Sequence, residues 1–184
     1  MPTITSHGGN ELITADVYKI VDLQSGMTVA DLGCGNLGFF TLPAAKIVGK
    51  NGIVYAVDIM KSTLQSVESR ALSQGLSNIK TVWSNLELIG ATKIDAGSVD
   101  VAFLKNILFQ SKRHDLIIKE ATRLLKTGGK LLIIDWMKIS TPFGPSMTER
   151  IDPEDTKQHA TEAGLTLAQE FQAGPYHFGL LFTK

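Results

Sequence analysis

Residues 31 to 40 read DLGCGNLGFF, and Gly33, Gly35 and Gly38 stand there in the spacing G-x-G-x-x-G. Glycines at that spacing let a loop turn tightly and let its backbone approach a ligand, which is how dinucleotide-binding loops cradle a pyrophosphate. A carboxylate, Asp31, stands two positions before the first glycine. Negative charge there repels phosphate and suits a cation. A second carboxylate, Asp58, closes the apolar run GIVYAVDI. An acid at the end of a second strand accepts hydrogen bonds from ribose hydroxyls. That role serves any adenosine-bearing cofactor, so Asp31 discriminates between cofactors and Asp58 does not.

These residues need a scaffold, and apolar periodicity supplies one. Residues 10 to 23 read as an amphipathic helix capped by Asn10, and MTVADL follows Gly26 as a first strand. FFTLPAAKIVG is a short helix ended by Gly49, with Pro43 tolerable only in its first turn. GIVYAVDI is a second strand, apolar as a strand covered on both faces should be. Residues 61 to 74 form a helix with Leu64, Val67, Ala71 and Leu72 inward. IKTVWS (79 to 84) and SVDVAFL (98 to 104) are strands three and four. Residues 112 to 126 form a helix with Leu116, Ile117, Ala121, Leu124 and Leu125 on one face, ended by the Gly128-Gly129 turn before strand KLLIIDW. In IDPEDTKQHATEAG, Asp152 is an N-cap, Pro153 the first helical residue and Gly164 the stop. LTLAQEF and YHFGLLF come too close together for a parallel crossover and must pair antiparallel.

Strands alternating with helices predict an α/β fold, a mostly parallel sheet with helices on both faces. In such sheets the ligand lies beyond the carboxyl ends of the strands, where the strand order switches. The glycine loop falls there. So do Lys105 and Asn106 after strand four and Asp135 and Trp136 at the end of strand five, with Tyr176 and His177 contributed by the terminal hairpin. Asn106, Asp135, Trp136, Tyr176 and His177 are therefore the expected acceptor-side residues. Cys34 reads as a small packed side chain, His114 and His159 as solvated helix residues, and Phe39 and Phe40 as core or pocket wall.

Bulk composition narrows the class. The 184 residues fit one domain able to bury about 70% of its unfolded surface. Eighteen basic residues cancel eighteen acidic ones, which argues against a general attraction to nucleic acid or anionic membrane. One cysteine excludes an internal disulfide and a cysteine-rich metal site, and no metal site is expected. The opening MPTITSHGG has no secretory pattern, and no apolar run is long enough to span a membrane, so a cytoplasmic protein is expected.

S-adenosylmethionine carries an ammonium and a sulfonium and no phosphate, which is what Asp31 favours. The chain resembles the class I S-adenosylmethionine-dependent methyltransferases over nearly its whole length, through VADLGCG (29 to 35), VYAVDI (54 to 59), VWSNLE (82 to 87), SVDVAFLKNILF (98 to 109) and LLKTGGKLLIIDW (124 to 136). It is most similar to the small stand-alone members grouped with the ubiquinone/menaquinone-type methyltransferases. The resemblance implies a three-layer, Rossmann-like sheet of seven strands with an antiparallel last strand, in a single domain over 1-184. Its parts would be an N-terminal helix (1-26), a cofactor-binding core (27-137) and a C-terminal helix and hairpin (138-184). It also implies that Asp31, Gly33 and Gly35 face the methionine end of the cofactor and Asp58 the ribose. Ile59 and Met60 would lie against the adenine, Asn85 would accept from its amino group, and Lys105 and Asn106 would touch the methionine portion. The family often has a glycine two places after Gly35, whereas this chain has Leu37 and then Gly38. KNIL after strand four differs from the N-P-P-Y type of amino-directed nucleic-acid methyltransferases, so a small-molecule acceptor is expected. A non-catalytic cofactor-binding module and a nicotinamide-dependent reductase are the alternatives, the latter disfavoured by Asp31.

Overall fold

The computed structural model describes residues 16–184. The elements run α1 (Val17–Ile20), β1 (Thr28–Leu32), α2 (Thr41–Val48), β2 (Ile53–Asp58), α3 (Lys61–Ser73), β3 (Ile79–Trp83) and β4 (Val99–Lys105), then α4 (His114–Leu124), β5 (Leu125–Trp136), α5 (Pro153–Glu162), β6 (Thr166–Gly174) and β7 (His177–Thr183). A single 3-10 turn, Leu108–Gln110, sits between β4 and α4. The seven strands form one sheet in the order β3-β2-β1-β4-β5-β7-β6. Pairs β1 to β5 are parallel, while β7 runs antiparallel to both β5 and β6. The order reverses at β1 and β4, and the glycine loop leaves β1 there.

Side chains alternate between the two faces of each strand, and the two main core clusters follow that alternation. Ala30, Leu32, Ala102, Leu104, Leu131, Ile133, Phe178 and Leu180 pack on the face covered by α4 and α5. Val29, Val54, Val101, Phe103, Leu132, Ile134 and Leu181 pack on the opposite face with residues of α1 and α2. Helix α3 lies against β2 and β3, with Leu64 and Val67 on Ala56 and Cys34.

Several local expectations change. The part of the expected 10 to 23 helix before residue 16, with its Asn10 cap, lies outside the described residues. Within them the helix is one short turn, capped by Asp16 accepting from Lys19 N at 3.2 Å. Leu72 does not face inward: it is 82% exposed, because the packed stripe of α3 is Leu64, Val67 and Ala71. Gly128 and Gly129 form a bulge within β5 instead of a simple turn, since the β4–β5 register slips between Val99 and Val101 while Gly128 N donates to Lys184 O. His114 and His159 are half-buried, not solvated, and their rings meet edge-on with centroids 6.3 Å apart. Pro43 falls in the first turn of α2, where its missing N–H costs nothing. Asp152 caps α5 by accepting from Glu154 N at 3.0 Å, as the sequence predicts.

Candidate active site

Strand β1 ends in a loop that folds back over β2: the N–H groups of Gly33 and Cys34 both donate to Val57 O, at 2.8 and 3.0 Å. Gly33 has φ +84°, and a Cβ there would come within 2.0 Å of the Ile107 side chain, so β4's exit loop can lie this close only over glycine. Gly35, at φ +64°, faces open space. That space is a cavity of about 880 Å³, in the range of small-molecule sites. Gly33, Gly35, Asp58, Ile59, Met60, Asn85, Lys105 and Asn106 all line it. So the structure brings together every sequence-expected cofactor residue but Asp31.

Asp58 has both oxygens held. Oδ2 accepts from Gly35 N at 3.2 Å and Oδ1 from Met60 N at 2.9 Å. These bonds fix the carboxylate at the cavity wall and leave lone pairs on each oxygen for a diol. Ile59 and Met60 are more than half exposed at the rim. Trp83, absent from the sequence expectations, donates its Nε1 to Ile59 O at 2.8 Å and ties the ends of β2 and β3 together. Asn85 uses Oδ1 to accept from Glu87 N at 2.9 Å, so that oxygen is already engaged in the local turn. Asn106 occupies the left-handed region at φ +54°, one of the few residue types that tolerate it.

Asp31 lies behind the cavity wall, buried, with Thr41 Oγ1 donating to Oδ2 at 2.6 Å. Burial raises its pKa to about 6, opposed by the Thr41 bond and by the charge of Lys105. Lys105 is also buried along its stem, which lowers its pKa to about 8 against the attraction of Asp31 and Asp135. Its Nζ lies over the rings of Phe39 and Phe40, 5.8 and 5.5 Å from their centroids. Cys34 is packed against α3, and burial pushes its thiol pKa up, so a ready thiolate is disfavoured.

The expected acceptor-side residues divide. Asn106 lines the cavity; Asp135, Trp136, Tyr176 and His177 do not. Asp135 faces the α4 and α5 side of the sheet, where Oδ2 accepts from Leu108 N and Phe109 N at 3.0 and 3.4 Å and Oδ1 from Trp136 N at 2.8 Å. Its pKa rises to about 7, chiefly from burial, with those bonds opposing. Trp136 and His177 pair across β5 and β7 with ring centroids 4.3 Å apart, on the other face. Sequence reasoning missed this division although alternation along a strand carries it: residues 135 and 136 must point to opposite faces. It also missed Glu87, Gln110 and Ser111 on the cavity wall, where Ser111 Oγ donates to Glu87 Oε1 at 2.6 Å. Among the described residues no cluster of histidine, cysteine and carboxylate side chains has the makings of a metal site.

A mostly parallel sheet with this strand order, and a glycine-lined cavity where the order reverses, defines a Rossmann-like cofactor-binding protein. The profile of the methyltransferase domain family matches residues 23–174. The chain belongs to that family, the class I S-adenosylmethionine-dependent methyltransferases. It is 29% identical over 121 residues to a demethylmenaquinone methyltransferase of Geobacillus sp. (strain WCH70), covering 65% of this chain and 50% of that protein. It is 30% identical over 145 residues to the ubiquinone/menaquinone biosynthesis C-methyltransferase UbiE of Laribacter hongkongensis (strain HLHK9), covering 74% and 57%. The chain thus spans about half the length of these relatives. A solved S-adenosylmethionine-dependent methyltransferase from Aquifex aeolicus superposes with a TM-score of 0.84 at 26% identity, over 95% of this chain and 91% of the other.

Proposed function

We propose that the chain binds S-adenosylmethionine in the β1–β2–β4 cavity and transfers its methyl group to a small-molecule acceptor. The observation that carries this reading is the methyltransferase-domain match over residues 23–174, on a cavity whose wall holds Asp58, a carboxylate fixed by two backbone N–H groups with acceptor capacity to spare. The residues present fit the cofactor. Gly35 leaves open space where any other residue would put a side chain, and Asp58 can accept from both ribose hydroxyls. Ile59 and Met60 offer an apolar rim for the adenine. Asp31 does not touch the cavity, so its preference for a cation acts as a field through the wall of the loop and not as a contact. The quinone-directed relatives favour a small-molecule acceptor over nucleic acid.

When bound, S-adenosylmethionine supplies a methyl group already activated by the sulfonium. The protein therefore has to hold and align two partners and to exclude water, which can account for most of the rate. The glycine loop and Asp58 fix one end of the site, and Lys105 and Asn106 stand at the mouth of β4 between that end and the sheet's α1 and α2 face. Lys105 adds a positive charge beside the methionine end that Asp31 and Asp135 offset in part.

Thermal unfolding tests the reading. S-adenosylhomocysteine at a hundredfold excess over its Kd should add about 2.7 kcal/mol of stability. For a chain of this size that raises Tm by about 5–10 °C. NAD and NADP should give no shift. A shift with NAD and none with S-adenosylhomocysteine would overturn the proposal.

A further inference from the structure

The connection from β5 to α5, residues 137–152, is long and carries neither helix nor strand, which is the kind of segment that usually serves function. It lies on the end of β5 as a strap. Gly144 rests on the Trp136 indole: with φ +95°, a Cβ there would lie 2.8 Å from ring carbons. Phe143 meets Trp136 and Tyr176 edge-on, with centroids 6.3 and 5.2 Å apart. The Arg150 guanidinium lies 5.4 Å from the Trp136 centroid and donates to the carbonyl oxygens of Met137, Ile139 and Pro145. One side chain thus gathers the strap, and one ring seats it.

Beneath the strap, Trp136 pairs with His177 across β5 and β7, with ring centroids 4.3 Å apart. His177 is 0% exposed and Trp136 2%. Neither ring nitrogen of His177, nor Nε1 of Trp136, has a hydrogen-bond partner among the described residues. Buried polar groups are almost always paired. The closed strap therefore forgoes bonds that water would supply to both rings if the strap lifted.

The charges around His177 decide which element would move. Lys105 acts on it from β4 and Arg150 from the strap, and both are cations. Asp31 faces Lys105 from β1. Asp135 points to the opposite face of the sheet, with its oxygens on Leu108 N, Phe109 N and Trp136 N. Of the strap's own carboxylates, Glu149 accepts from Ser146, and Asp152 caps α5 and stands 3.9 Å from Lys138. Tyr176, from the β6–β7 turn, offers a ring and no charge. Among the described residues no carboxylate pairs with His177. Burial first, and then Lys105 and Arg150, lower its pKa to about 4. Lys105 belongs to a central strand and is fixed there, whereas Arg150 travels with the strap.

We propose that residues 137–152 form an acid-released strap, closed over Trp136 and His177 at neutral pH and lifted when His177 takes a proton. Lifting carries the Arg150 charge away from the imidazolium and lets water solvate it. The sign follows from linkage. The closed state keeps His177 neutral down to about pH 4, while an open state takes the proton below the ordinary value of 6.5. Between those values the open state binds more protons. The preference for closure is complete above about pH 6.5 and falls by up to about tenfold per pH unit below it. This switch stands apart from the cofactor reading, since none of its steps needs a molecule in the cavity.

Fluorescence quenching on the full chain tests it. Trp83 and Trp136 are the two tryptophans, and Trp83 is exposed, so Trp83→Phe leaves Trp136 as the reporter under the strap. In that background the acrylamide quenching constant should rise about threefold or more between pH 7.5 and pH 5, with far-UV circular dichroism unchanged. Adding His177→Phe should flatten the response, and adding Asp135→Asn should leave it in place. Adding Arg150→Met should give strong quenching at both pH values. Should His177→Phe fail to fold, His177→Gln, neutral at every pH used, carries the same test. A quenching constant that does not change with pH overturns the proposal. So does a rise that persists without His177, or one that comes with loss of the circular dichroism signal, since acid unfolding would then be its cause.

Discussion

Asp58 and Asp135 are both carboxylates at strand ends, and their surroundings give them opposite tasks. Asp58 meets one backbone N–H at each oxygen and keeps the rest of its capacity for the cavity, so Asp58→Ala should weaken S-adenosylhomocysteine at least tenfold by calorimetry. Charge-assisted bonds to two hydroxyls, at roughly 1.5–3 kcal/mol each, account for a loss of that size. Asp135 spends its oxygens on three N–H groups inside the protein and holds the turn at Leu108–Gln110 against β5. Its folded pKa of about 7 lies above the ordinary 3.8, so between those values the folded protein holds a proton that the unfolded chain has released. Asp135 therefore contributes stability that is fully present below about pH 4 and is lost as pH rises through 7. Asp31 acts in the same direction up to about pH 6, and His177, depressed to about 4, acts in the opposite one. The difference between wild type and Asp135→Asn isolates the first of these. Wild type should lead by more at pH 4 than at pH 8 in urea unfolding, and a gap that widens with pH would refute the assignment. Of these two carboxylates only Asp58 could be placed at the cavity from the sequence, because its cue, an acid ending an apolar run, is local. Asp135 takes its role from N–H groups of a turn more than twenty residues away.

At the scale of elements, the glycine loop and the 137–152 connection contrast. The loop could be read from three glycines and one acid, since its shape follows from φ angles that glycine alone adopts freely. The connection carries no such signature. Its shape comes from Arg150, which is buried and donates to the carbonyl oxygens of Met137, Ile139 and Pro145 and to Thr141 Oγ1. Any residue can supply a carbonyl, so nothing in the sequence between 137 and 150 announces the knot. Arg150→Met should release it, lowering Tm by about 4–8 °C for roughly 2 kcal/mol lost. Hydrogen exchange should quicken at the amides of 138–149 while those of β1, β4 and β5 keep their protection. Uniform quickening across the sheet would show instead that Arg150 supports the whole fold.

For the molecule as a whole, alternating strands and helices were enough to predict the layers and the switch point, because a parallel sheet must bury both faces and a short hairpin must be antiparallel. The sequence could not say that β7 inserts between β5 and β6, since strand neighbours depend on contacts far apart in the chain. That insertion has a consequence for biosynthesis. A ribosome delivers β5 and β6 before β7, yet the two never pair with each other; each waits for the last strand to bridge them. Until His177–Thr183 has emerged, the run LLII of β5 stands at an open edge of the sheet with its N–H and C=O groups on offer. An apolar edge of that kind is a template for pairing with a neighbouring chain. The nascent protein is therefore most exposed to misassociation in the interval between synthesis of β5 and synthesis of β7, and codon choice or chaperone contact over residues 137 to 183 would govern how long that interval lasts.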